Sequence, residues 1–177
     1  MPEDGFQPIA VVSDGCERHP MSRQHQPEPL SHLAGLSQWC DEEGFLIEDV
    51  SPDEASITDD DGGSIWWLSR VEGWLHVRGL VFEEVNPSEA LCLTLARLHS
   101  RLLGCRFGMD GDNNIVLHAD LFPHDQSGGA VAAAIIQMQV IVDSTYDLLL
   151  RVQESGITAD EGDIDEAFQL KGATPLH

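Results

Sequence analysis

The stretch GMDGDNNIVLHADL, Gly108 to Leu121, decides how the whole chain is read. Its acids fall at alternate positions, Asp110 and Asp112 with Asn114 behind them, which is how a calcium-binding EF-hand loop begins. Such a loop needs glycine at its sixth position to turn sharply and a bidentate glutamate at its twelfth. Counted from Asp110, those positions hold Ile115 and Leu121. The loop also needs a helix on each side, whereas CRFGM (105–109) and NIVLHADLF (114–122) read as strands. The acidic centre is therefore a hairpin turn, where Asp and Asn side chains bond nearby backbone and tolerate left-handed geometry. Alternation then assigns Ile115, Leu117, Ala119 and Leu121 to a core face and turns His118 and Asp120 away from it.

Upstream, NPSEALCLTLARLHSRLLG (86–104) reads as a helix. Asn86 is the expected cap, Pro87 suits the first helical position, and Glu89 can reach back to the cap's N–H. Leu91, Leu95, Leu98 and Leu102 form its apolar stripe. Before it the period is two: FLIEDV (45–50), ASIT (55–58), SIWWLSRV (64–71) and WLHVRGLVFEEV (74–85), the last two joined by Glu72-Gly73, a good hairpin signal. Leu33, Leu36, Trp39 and Cys40 predict a first helix over 30–43, with Ser31 as cap and Gly44 as stop. Downstream, residues 130–156 predict a long helix, apolar over much of its girth, which needs cover on more than one side.

These elements predict an α+β domain over 30–155, an antiparallel sheet of about five strands in the order α-β-β-β-α-β-β-α. The first and third helices pack on the sheet and the second lies at an edge or a dimer seam. Residues 1–29, with five prolines, read as a flexible arm, and 156–177 as an acidic tail in which IDEAFQL can form a brief helix.

The composition narrows the function. With 31 acids against 9 bases and a formal net charge of −22, the chain is a poor partner for nucleic acid, which needs clustered Lys and Arg. Anionic membrane surfaces are disfavoured on the same ground, and no segment is expected to reach the ~20 apolar residues of a membrane span. The acidic opening MPEDGFQPIAVVSDG does not read as a signal peptide, and no C-x-x-C pair occurs among Cys16, Cys40, Cys92 and Cys105, so a reducing cytoplasm is the expected compartment.

No G-x-S-x-G, P-loop or G-x-G-x-x-G is present, and no catalytic apparatus or cofactor site is expected. The alternative is a metal-dependent enzyme using His76, His118, Asp120 and His124. A weak cation site at Asp59-Asp60-Asp61 is disfavoured, because successive side chains diverge. Adjacent Trp66 and Trp67 must project to opposite faces of their strand, one toward the core and one available to a partner unless helices cover both. With Trp74 and Arg78 they form the expected partner-binding set. The apolar excess on helices 87–103 and 130–153 points to a homodimer, with Leu91, Leu95 and Leu98 at its interface.

The succession through LARLHSRLLGCRFGMDGDNNIVLHADLF (95–122) resembles the type III secretion chaperone fold and the related YbjN-type bacterial sensory transduction regulators. A Leu-rich helix runs through LLG into a short strand with Phe107, an acidic hairpin, a strand ending in Asp120-Leu121, a loop and a long amphipathic helix. The resemblance implies a small, acidic, homodimeric, non-catalytic protein that binds an extended segment of a partner polypeptide, an effector or a regulatory protein. The Pro-rich arm and acidic tail depart from a compact chaperone.

Overall fold

The computed structural model describes residues 28–59 and 63–169. The 1–27 part of the expected arm, Asp60 and Asp61 of the acidic turn, and the end of the tail lie outside the described residues. A single 3₁₀ turn (Leu30–His32) leads into α1 (Leu36–Glu43), and Gly44 stops it in left-handed geometry. The helix expected from residue 30 is therefore broken in two. Gly35, also left-handed, interrupts the path, and Ser31 caps nothing: its amide and hydroxyl both bond to the Asp49 carboxylate.

Four strands follow as a meander: β1 (Phe45–Ser51), β2 (Glu54–Asp59), β3 (Ile65–Val71) and β4 (Trp74–Phe82). Glu72 and Gly73 both have positive φ, 51° and 83°, the two-residue turn whose twist matches a hairpin. Then come α2 (Glu89–His99), β5 (Cys105–Met109), β6 (Ile115–Leu121), the long α3 (Gly128–Ser155) and α4 (Glu161–Gln169). The sheet is antiparallel throughout, in the order β1-β2-β3-β4-β6-β5. It has six strands where about five were expected, because all four runs before α2 pair.

α2 starts later than its sequence suggested. Ser88 is the cap, its hydroxyl accepting from Leu91 N at 3.1 Å, and Asn86 and Pro87 precede the helix. Proline biases the residue before it toward extended geometry, so the chain turns helical only after Pro87. α3 is capped likewise by Ser127, which accepts from Ala130 N.

Register places one face of the sheet under the helices. Ile57, Trp66, Gly79, Leu117 and Phe107 lie in one row, and Ala55, Leu68, Val77, Ala119 and Cys105 in the next. Their side chains, with those of α1, α2 and α3, form a single buried core. Trp66 occupies the space that a side chain at Gly79 would need. α1 packs on β1 and α3, α3 on β4 and β6, and α2 beside the edge strand β5. By length and composition α3 could cross a membrane, and its service as the core helix, with Val131, Ile135, Met138, Leu149 and Val152 buried, accounts for that apolarity.

The core also continues past the expected boundary at 155. Ala159, Ile164 and Phe168 are buried in it, because α4 lays its apolar side on α3.

Candidate functional site

The opposite face carries exposed large apolar side chains, among them Leu46, Trp67, Val71, Trp74 and, just beyond β6, Phe122. Alternation puts every second residue of β3, β4 and β6 here, so the site is built by parity from three neighbouring strands. One row runs Trp67–Arg78–His118–Arg106 across β3, β4, β6 and β5. The next runs Ser69–His76–Asp120. Val71 and Trp74 form a third, and the Trp74 ring meets Phe122 at 4.8 Å between centroids.

The charges in these rows are matched. Arg78 lies over the Trp67 ring, 5.7 Å from its centroid, and pairs with Asp110. Asp110 is also the centre of the acidic turn between β5 and β6. Its carboxylate accepts from the N–H groups of Asp112 and Asn114 and from the Asn114 side chain. The Asn114 backbone bond, foremost among these, holds its carboxyl below the usual range, and the Arg78 charge adds to the effect. The acids of this loop thus knit a turn and seat an arginine.

Asp120 accepts from His76 Nδ1 at 2.6 Å with one oxygen and pairs with Arg106 through the other. Burial pushes its carboxyl up, but the bonds from Arg106 and His76 outweigh that and leave it low. His118 stands between Arg78 and Arg106; burial, then those two cations, hold its imidazole below 6.5 despite the Asp120 carboxylate.

The sequence-derived residues therefore divide. Trp67, Trp74 and Arg78 come together on the open face, with 37% of each tryptophan exposed. Trp66 does not belong with them: it is 3% exposed, in the core, and its indole N–H has no hydrogen-bond partner among the described residues. Leu91, Leu95 and Leu98 are likewise enclosed in the chain's own core, which removes them as an interface. α2 packs on α3 and β5 of the same chain. His76 and Asp120 do meet, but Asp120 is taken by Arg106 and His76, while His124 stacks on Phe122 and faces Asp125. Among the described residues no three His, Cys, Asp or Glu side chains gather as a metal-ligand set. Burial, with the Asp41 charge, pushes the Cys40 thiol up to about 11, and burial alone does the same at Cys105, so neither is a thiolate nucleophile at neutral pH.

Phe122 and Arg106 escaped the sequence reading. The signal was present in parity, since 116, 118, 120 and 122 share one side, but Phe122 read as the end of a strand and Arg106 as part of a short one.

No family model matches the chain, and no curated protein does. Solved structures match in fold. A chain of the crystal structure of the ExsC–ExsE complex aligns with a TM-score of 0.51 at 16% identity, covering 64% of this chain and 90% of that one. The Yersinia pestis type III secretion chaperone SycH, solved in complex with a stable fragment of YscM2, aligns at TM-score 0.45 and 21% identity, over 60% and 92% of the two chains. YbjN from E. coli aligns at 0.45 and 17%, over 71% and 93%. The α+β fold resembles that of type III secretion chaperones, as Leu95–Phe122 implied.

Proposed function

We propose that this protein is a non-catalytic protein-binding module that holds an extended segment of a partner polypeptide on the open face of its sheet. The observation that carries the reading is the cluster of Trp67, Trp74 and Phe122 beside Arg78 on a face that no described helix covers. Aromatics and arginine dominate the energetics of protein interfaces, because they bury large rigid areas while keeping a polar or cationic handle. An extended segment presents alternate side chains to such a face. The ExsC–ExsE structure, one chain of which aligns with this fold, is itself a complex of two proteins. A net charge of −22 favours a basic partner and gives encounter rates that fall as salt rises.

The protein acts in this reading as a cytoplasmic homodimer. With Leu91, Leu95 and Leu98 enclosed, the seam falls to other apolar residues of the helical side, of which Leu103, Ile136 and Val140 are exposed.

Peptides selected against the protein by display provide the test. Their affinity should fall at least tenfold in a Trp67→Ala/Trp74→Ala variant and stay unchanged in Leu93→Ala, a residue exposed on α2. Selected peptides that bind the double variant as well as the wild type would refute the sheet-face site.

A further inference from the structure

The C-terminal segment lies on the helices in the manner of a bound ligand. It adds no strand, and α4 packs on α3. Its apolar side is Ala159, Ile164 and Phe168, all buried. Its other side is acidic: Glu161, Asp163, Asp165 and Glu166 fall within nine residues that contain no base. The segment also starts its own helix. Asp160 Oδ1 accepts from Asp163 N at 2.9 Å, and Asp163 Oδ2 accepts from Asp160 N at 3.0 Å, a reciprocal cap that borrows nothing from the rest of the domain.

The groove beneath has the complementary character. Three of the chain's nine basic residues meet this one segment. Arg97 on α2 donates to the Ala159 carbonyl, Arg101 just beyond α2 pairs with Asp165 at 3.2 Å, and Arg151 on α3 pairs with Asp163 at 3.2 Å. Also on α2, fully buried Thr94 accepts from Ala159 N at 3.1 Å. A cleft of about 300 Å³ bordered by Ser144, Asp147, Leu148 and Arg151 stays open beside α4, so the groove has room beyond its present occupant. Three arginines meeting one acidic segment, in a chain otherwise so poor in bases, favour an acidic occupant.

We propose that this groove is a docking site for an acidic amphipathic helix of a partner polypeptide, and that α4 is its resident stand-in, displaced when the partner binds. Helix-in-groove recognition needs apolar anchors on one helical face, which Ile164 and Phe168 provide at a spacing of four. α4 makes no sheet hydrogen bonds, and segments held by side-chain packing alone open at less cost than paired strands, so α4 can leave while the sheet stays intact. A tethered α4 competes at an effective concentration on the order of mM, so the closed form masks the groove from weak ligands. The site is separate from the open sheet face, and its test is independent of that reading.

The experiment uses the full chain and a fluorescently labelled synthetic peptide of residues 157–169, read by anisotropy. The Ile164→Asp/Phe168→Asp variant, with its own α4 undocked, should bind the peptide at least tenfold more tightly than the wild type does. Arg151→Glu in that background should weaken binding about tenfold, with an Asp163→Arg peptide recovering part of the loss. If the aspartates unfold the domain by circular dichroism, Asp163→Arg/Asp165→Arg keeps both anchors and should still bind wild-type peptide more tightly than the wild-type chain. Equal binding by wild type and loosened variants, or no binding by any, overturns the proposal. So does a doubled mass by light scattering with no gain in peptide affinity, which assigns the groove to a second copy.

Discussion

The contact between Trp66 and Gly79 gives the sharpest test of the fold. The two face each other across β3 and β4 on the covered side of the sheet. A Cβ at Gly79 would sit 2.9 Å from Trp66 Cη2 and closer still to Cε3 and Cζ3. Carbon atoms pack best at about 3.5–4.0 Å, so the ring must withdraw by about 1 Å or more. It has nowhere to go, since Ile57, Leu68, Val77 and Leu117 beside it are all buried. Overpacking of this kind costs typically 1–3 kcal/mol, and with three ring atoms in conflict Gly79→Ala should lie at the top, about 3 kcal/mol. In a domain of this size that lowers the melting temperature by roughly 6–12 °C. The assay is a double-mutant cycle in urea. Trp66→Leu alone should cost about 2–5 kcal/mol for the cavity, offset in part by losing a buried, unpaired indole N–H. On that background Gly79→Ala should cost almost nothing, giving a coupling of about 3 kcal/mol between the two sites. A cost for Gly79→Ala that is the same in both backgrounds, or negligible in the wild type, would refute the packing argument.

Two further outcomes follow from local geometry. His118 has a folded-state pKa below its ordinary 6.5, so as pH falls through 6.5 the unfolded chain takes up the proton first. Stability should therefore drop from that point and level off once folded His118 is protonated; urea midpoints across this range should lose the drop in His118→Gln, and an identical slope in both proteins would contradict the assignment. Ser88→Ala should cost about 1 kcal/mol because it uncaps α2, whereas Asn86→Ala should cost almost nothing, and calorimetry showing the reverse order would restore Asn86 as the cap.

Much of the architecture was legible because local rules act over a few residues. The hairpin at Asp110–Asn113, the turn at Glu72-Gly73, the stop at Gly44 and the alternation that buried Ile115, Leu117 and Ala119 all follow from side-chain chemistry and backbone geometry within one element. Capping was less secure. Asn86 and Ser88 are both good caps, and only the path of the chain after Pro87 chose between them.

Decisions between the two sides of an element lay beyond the sequence. Period two requires Trp66 and Trp67 to oppose each other, and it is symmetric about which one faces the helices. Packing broke that symmetry: Gly79 provides the recess that takes Trp66, so Trp67 is left with Arg78 on the open face. The leucine stripe of α2 likewise specified an apolar cover without specifying its source. A second copy and other elements of the same chain satisfy the same hydrophobic demand, and tertiary structure supplied the latter, with α3 and β5 packed on α2. The sequence by itself determined which residues must be buried or turned, because those are properties of one segment and its solvent. What buries them, and which face stays open, depends on contacts between residues far apart in the chain, and only the folded arrangement decides those.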